Sequence, residues 1–326
     1  MNGATTQLWP AALAAVSGSA MVGVMPLMAR LLYADGVGAP SMLFWRFAVA
    51  LLALAIVARL RRLDLRREWR NGAWRLTALA ATLGAAQTLC FWESIRTLDT
   101  SVAELLFYTY PAVTLVLDRA LFKAPIRPLA VFCIAVILIG AGLITAPGIR
   151  GGAIDPRGLA WIVPAPLIYA AYLAINARLL RRHPPLVGAS ALFAGMLVTF
   201  GLTAAIGGLD VPASADTWLI VAFIGLGPGA LWMLLFTFSV PRLGASSFAI
   251  LANTEVITVV AIGILVLGEP LTPARAAGGT LILIGIVIRA LTQRPMPPTP
   301  SPASLRSAPS PPMRERGDRS PQASGG

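Results

Sequence analysis

Glu255 poses the sharpest chemical question in the chain. It stands in Leu251–Val260 (LANTEVITVV), midway along an apolar run from about Gly244 to Leu267. A run of about 20 such residues crosses the hydrocarbon core of a bilayer. An acid at that depth costs roughly 2.5–3.5 kcal/mol on insertion scales, so it normally faces a cavity or a partner. Asn253 and Thr254 beside it add hydrogen-bonding groups. A carboxyl with polar neighbours in that setting can carry a proton or hold a polar solute. The bland alternative is a buried acid hydrogen-bonded for helix packing. Asn253 and Glu255 lie two residues apart, about 200° around a helix. Both point inward only where the helix is broadly buried or locally unwound.

A second apolar run, TSVAELLFYTYPAVTLVLDRALF, carries Glu104, Tyr108, Pro111, Leu115 and Asp118 at spacings that share one helical face. Lipid has no use for that face, so it is expected to turn inward. Pro111 frees a backbone carbonyl in mid-helix. Tyr108 and Tyr110 serve either substrate or core packing with a satisfied hydroxyl. Gln87 and Trp92 are candidates for the same path. Arg46, Glu93 and Glu104 fall toward matching ends of their runs. Arg46 either snorkels alone or pairs with Glu93 or Glu104 as a gate. The alternative is a static ion pair. No cation is expected at the depth of Glu255, and Asp118 and Arg119 are expected to be interfacial. Gly225, Gly227, Pro228 and Gly229 cluster inside another run. In water a helix loses about 1 kcal/mol per Gly and about 3 per Pro relative to Ala, so this point is a hinge or cavity wall unless the glycines serve close packing. Pro164-Ala165-Pro166 is a further weak point without an assigned role.

The elements that position these residues follow from composition. The 326 residues are 57% hydrophobic and 12% charged, against about 25% charged in soluble domains. Mean hydropathy is +0.75. The expected class is an all-α polytopic membrane protein. Net charge is +12, but the basic residues sit in short loops and the tail, which is a topology signal and not a nucleic-acid surface. Only Lys123 is lysine, a bias expected of a GC-rich bacterial genome. Cys90 and Cys133 lie inside apolar runs without CxxC spacing, and His183 is the single histidine. No disulfide, metal or cofactor is expected. The start, MNGATTQLWP, lacks a basic signal-peptide region, so the first apolar run is expected to remain as a helix.

Ten spans are expected, near 8–32, 40–58, 74–95, 100–122, 127–147, 157–180, 185–207, 216–240, 244–267 and 273–292. In lipid every backbone group must be satisfied internally, so these runs are helices. Twenty of the 26 basic residues fall on one side of this arrangement and five on the other, Arg46 being the remaining one. The positive-inside rule then places both termini in the cytoplasm. From residue 293 to 326 the chain turns to Pro, Ser and Arg, the composition of a disordered cytoplasmic tail.

The chain also repeats itself. Ala29-Arg30-Leu31-Leu32 returns as Ala177-Arg178-Leu179-Leu180, and Lys123-Ala124-Pro125-Ile126 aligns with Gly268-Glu269-Pro270-Leu271. The register of the second match pairs Gly84 with Gly229, Ser101 with Ser246, Tyr108 with Asn253 and Tyr110 with Glu255. Five spans per copy is an odd number, so the copies would be inverted, a build common in secondary transporters with sites near the midplane.

On these features the chain resembles the drug/metabolite transporter superfamily, EamA type. Phe44-Trp45-Arg46-Phe47 early in the second span, Tyr110-Pro111 in the fourth and Leu267-Gly268-Glu269-Pro270-Leu271-Thr272 at the close of the second copy carry the resemblance, together with the architecture. Glu255-Val256, where Glu-Pro is frequent, and Lys123-Ala124, where Gly-Glu is usual, depart from it. The resemblance implies ten transmembrane helices in two repeats, here 8–147 and 157–292. It also implies a transporter of small metabolites, often an exporter, driven by an ion gradient or by exchange. The expected partners are a metabolite, amino acid or drug-like substrate, the bilayer, and protons or a counter-substrate, with no nucleic acid. The expected location is the bacterial inner membrane. Substrate identity and oligomeric state are not legible. Rival readings are a membrane-embedded enzyme, for which no HExxH, GxSxG or P-loop exists in the sequence, and a passive channel or structural subunit.

Overall fold

The structure is a computed structural model that describes residues 8–94, 97–98, 103, 106–123, 125–149, 155–266 and 272–292. Glu104, the Gly268-Glu269-Pro270-Leu271 motif and the 293–326 tail lie outside the described residues. Among the described residues every regular element is a helix. In chain order they are α1 (Leu8–Val22), α2 (Met25–Ala34), α3 (Ala39–Leu60), α4 (Leu65–Glu68), α5 (Trp74–Leu79), α6 (Ala85–Ser94), α7 (Tyr110–Phe122) and α8 (Pro128–Ile149). The second half continues with α9 (Pro156–Ile162), α10 (Pro164–Leu179), α11 (Pro185–Gly207), α12 (Ala215–Gly225), α13 (Trp232–Leu243), α14 (Ala245–Ala252), α15 (Thr254–Leu265) and α16 (Pro273–Thr292). Wide π turns at Ala80–Gly84 and Leu226–Leu231 join α5 to α6 and α12 to α13.

Five described stretches are long and apolar enough to cross a membrane: Leu8–Ala34, Ala39–Leu60, Pro156–Arg182, Pro185–Gly207 and Ala215–Leu243. Three more, Pro128–Leu143, Ala245–Val259 and Ala276–Ile288, are apolar but shorter. Interruptions account for part of the difference from the ten expected. Turns at Gly23–Val24, Tyr108–Thr109, Val163 and Asn253 divide runs that read as continuous in sequence. The outer surface stays apolar, with Leu52, Leu60, Leu202, Ile206 and Leu265 all exposed, as lipid-facing helices require.

Helix starts are set locally. Pro40, Pro156 and Pro185 occupy first-turn positions, where a missing N–H is harmless. Asp155 and Ser214 accept from the N–H groups of Arg157 and Thr217. The start of α3 has no cap from its own chain neighbourhood. Asp210, in the loop before α12, accepts from Gly38 N–H at 2.9 Å and Ser41 Oγ at 3.1 Å instead. Trp45 Nε1 donates to the Asp210 carbonyl, and the Trp45 and Trp218 rings meet edge-on at 5.0 Å.

Packing follows a paired scheme. α3 packs on α11, α7 on α14, and α8 on α16. α1 packs on α13, as α6 packs on α9 and α10. Each contact has a counterpart between the corresponding elements of the other half. Close approach is through glycine where it matters most. A Cβ at Gly140 would stand 2.6 Å from the Gly278 carbonyl, and one at Gly285 would stand 2.7 Å from Ile137 Cγ1. Small residues at such crossings allow the dispersion contacts that hold helices together in lipid.

Candidate functional site

The turn at Asn253 is where the site begins. The Asn253 N–H bonds to the Ile250 carbonyl at 3.3 Å, one residue short of the helical partner. Val256 N–H likewise reaches back only to Asn253 O. The Ala249 carbonyl thereby loses the Asn253 N–H. Two side chains replace it: Asn253 Nδ2 at 2.9 Å and the Tyr110 hydroxyl at 3.1 Å. An unsatisfied buried carbonyl costs about 1–3 kcal/mol, so the break and its two donors form one unit. Tyr110 opens α7 just after the matching turn at Tyr108–Thr109, where Thr109 and Ala112 N–H groups also make tightened bonds, to Leu106 and Thr109.

These interruptions resolve the facing problem posed by the sequence. Asn253 is fully buried and Glu255 half-buried; Tyr108 and Tyr110 are both buried. Residues two apart share the interior because the helix is not continuous between them. The buried face of α7 is Tyr110, Pro111, Thr114 and Asp118; Pro111 and Asp118 lie on it as the spacing predicts, and Leu115 is half-buried beside it.

Glu255 has company that the sequence did not predict. Its carboxylate is within electrostatic reach of the Arg46 guanidinium and of the Tyr110 and Tyr169 hydroxyls. The expectation of no nearby cation is therefore corrected. Arg46 turns inward from α3 and donates through Nη2 to the Pro228 carbonyl at 2.8 Å. The π turn that contains Pro228 makes this possible. Gly225 and Gly229 let it lie directly on α3, where added Cβ atoms would stand 2.6 Å from Val49 Cβ and 3.2 Å from Ala50 Cβ. The Gly225–Gly229 segment is thus a wall that holds Arg46. Gly227 meets only Met21 Cε, at 3.5 Å from an added Cβ. The turn after α1 closes the other side: a Cβ on Gly23 would stand 2.8 Å from the Glu255 carbonyl.

Two buried polar atoms at this site have no partner in the structure, the donor Arg46 Nε and the acceptor Asn253 Oδ1. Buried polar atoms in native proteins are nearly always satisfied, so a donor and an acceptor left open near one carboxylate mark a place for a polar solute or water. Aromatic rings extend the site. Tyr110 meets Tyr169 at 4.8 Å and Phe107 at 5.4 Å; Tyr169 stacks on Tyr172 at 6.2 Å. Phe107 continues through Phe91 and Trp92 to Tyr33. Tyr172 and Asn176, one turn along α10, are buried side by side and extend the polar lining. Tyr169 and Tyr172 were missed by the sequence reading. Their signal was present as Tyr-Ala-Ala-Tyr just beyond Pro164-Ala165-Pro166.

The other expected residues are placed less centrally. Thr254 Oγ1 bonds back across the turn to Leu251 O, 2.8 Å. Gln87 donates to neighbouring Thr88 at 2.6 Å. Glu93 is half-buried on α6, beside the Trp92 end of the ring series. Asp118 is held by protein partners. It is buried, accepts from Ser246 Oγ at 2.7 Å and pairs with Arg178 at 3.5 Å. This joins α7, α10 and α14, and Arg178 also covers the Phe122 ring.

The sequence profile of the EamA-like transporter family matches the chain twice, over residues 9–146 and 156–290. The chain belongs to the EamA-like transporter family. It is accordingly a multi-pass membrane transporter of the drug/metabolite type, built from two repeats, and its substrate is a small molecule. A search of curated proteins finds no match. Among solved structures, 29 chains match. One, a crystal structure of a protein 17% identical in sequence, superposes with a TM-score of 0.72 over 87% of this chain and 97% of its own. That likeness concerns the fold. Within an EamA-like chain the two family matches divide the site: Arg46 and Tyr110 come from the first repeat, Tyr169, Pro228, Asn253 and Glu255 from the second.

Proposed function

We propose that the protein is a secondary active transporter that carries a small polar metabolite across the bacterial inner membrane by alternating access, in the export direction. The observation that carries this reading is the Arg46–Glu255 proximity, set among an unpartnered donor, Arg46 Nε, and an unpartnered acceptor, Asn253 Oδ1. A solute with both donor and acceptor groups complements such a site. Glu255 acts as the coupling group, releasing or taking up a proton as substrate displaces Arg46; exchange against a second solute is the other form of coupling. The two repeats, 8–147 and 157–292, are inverted with respect to each other and rock about this site. Their shared breaks, at Tyr108–Thr109 and Asn253, supply the flexible points. Twenty basic residues on one side support cytoplasmic termini.

The test starts from a thermal-shift screen of the purified protein against metabolite pools, in which a ligand raises Tm by mass action. Flux of the metabolite so found is then measured in proteoliposomes with and without a pH gradient. Wild type is expected to respond to the gradient, and Glu255→Gln to lose at least about tenfold in gradient-driven flux, about 1.4 kcal/mol. A Glu255→Gln protein that keeps the full gradient response would remove Glu255 from coupling.

A further inference from the structure

A second site lies away from the Arg46–Glu255 centre, where the turn before α5 meets the end of α10. The π turn Trp69–Ala73 closes on Gly72, whose φ of +114° is open to glycine and strained for other residues. This folds Arg70 and Asn71 back beside Trp74 and Arg75, opposite Arg182 and His183. The result is a cleft of about 390 Å³ lined by these residues with Gly72 and Leu179. Three guanidinium groups line it and no acid does. Glu68 stands behind, 3.6 Å from His183 Nδ1.

His183 also lines the cleft, its side chain 7% exposed and its Nδ1 turned to Glu68. The depth of the cleft is marked by Trp69 and Trp74, whose indoles are 52% and 46% exposed. Exposed tryptophans at a span end sit at the level of lipid headgroups. Arg75 lies over the Trp74 ring at 5.7 Å, which holds its charge at the same level.

We propose that this cleft binds a phosphate-ester anion, the headgroup of an anionic phospholipid. Planar guanidinium forks match phosphate oxygens in pairs, and basic pockets between membrane helices hold anionic headgroups. A bound headgroup bridges Arg70 and Arg75, at the start of span three, to Arg182, at the end of span six. Lipid composition then sets how firmly this end of the molecule is tied together. The same chemistry would accept a phosphate group from solution, and the test separates the two sources.

Full-length protein is placed in nanodiscs of phosphatidylcholine alone or mixed with phosphatidylglycerol, and Tm and bound lipid are read by thermal scanning and native mass spectrometry. Three variants are compared with wild type. Arg70→Gln/Arg182→Gln removes two cleft charges, Arg70→Lys/Arg182→Lys keeps charge but loses the forks, and Arg66→Gln/Arg67→Gln removes the same charge from exposed residues outside the cleft. Phosphatidylglycerol is expected to raise Tm in wild type and in the Arg66/Arg67 control. The cleft glutamine variant loses about tenfold in apparent lipid affinity, and the lysine variant falls between. Inorganic phosphate added to phosphatidylcholine discs is expected to leave wild type unchanged; if it stabilises wild type but not the cleft variant, the site stands and its anion comes from solution. Equal phosphatidylglycerol response in the cleft variant and the control, or none in wild type, overturns the proposal.

Discussion

The two repeats break the same helices by opposite means. In the first, the turn at Tyr108–Thr109 is followed by Pro111, which opens α7 from its second position. In the second, the turn at Asn253 has no proline; the Asn253 side chain itself donates to the carbonyl that the turn releases. The π turns reverse the pattern. Leu226–Leu231 contains Pro228 between two glycines, whereas Ala80–Gly84 contains no proline at all. There Gly84 lies against Tyr172 and Met196, and Ala80 is fully buried. Position is thus held by packing in both repeats, and proline is one of several ways to meet it. The repeats also differ in charge. Tyr110 and Glu255 hold equivalent places, but only the second carries an acid, and its counterpart cation comes from α3 in the first repeat.

The sharpest way to break this comparison is to remove the charge pair. Arg46→Gln alone or Glu255→Gln alone should each destabilise by about 1–2 kcal/mol, less than for a fully buried ion pair, because Glu255 is half-buried. The double variant should recover much of that loss while transport stays absent. Urea or thermal unfolding in detergent would show it; additive single effects would mean that the two charges do not compensate each other.

The π turns are compared by one methyl group. Gly225→Ala presses on the β-branched Val49 at 2.6 Å, a contact with little freedom to yield. A cost of about 2 kcal/mol is expected, within the range for overpacked cores. Gly84→Ala meets the mobile end of Met196 at 2.6 Å and should cost well under half as much. Equal Tm losses in the two would show that both turns are equally rigid.

Tyr110→Phe and Asn253→Ala each leave one donor on the Ala249 carbonyl, so each should cost about 1 kcal/mol or less. Combined, they strand that carbonyl, and the loss should exceed the sum of the single losses. A strictly additive double variant would separate the two side chains. The smallest effect is expected at the helix starts. Asp210→Ala removes the cap of α3 and should cost about 1 kcal/mol. Its counterpart α11 has no side-chain cap and begins with Pro185, so alanine at Pro184 should show no comparable capping loss in Tm.

Much of the site was legible where one residue announced it. Glu255 in an apolar run, Pro111, and Gly225 to Gly229 all carry their cost locally, and a local cost can be read from neighbours in sequence. The π turn at Ala80–Gly84 carries none. AATLG is ordinary helical sequence, and its widening comes with α11 and α10 pressing on it. A Cβ at Gly195 of α11 would meet the Thr77 carbonyl and come within 2.8 Å of Ala81 N. The partners of Asp118 were not legible for a similar reason: Ser246 and Arg178 belong to the other repeat.

The class of molecule is written in the amino acids. Hydropathy, the scarcity of charge and the internal repeat together require membrane helices, because apolar runs of that length have no other stable home. Weak points of the backbone are written there too, because Pro and Gly alter helix energetics wherever they stand. Which polar groups meet is set by how the helices pack. Arg46, Tyr110, Tyr169, Pro228 and Glu255 come from five separate spans, and Coulomb and hydrogen-bond energies depend on distance through space, which spacing along the chain does not set.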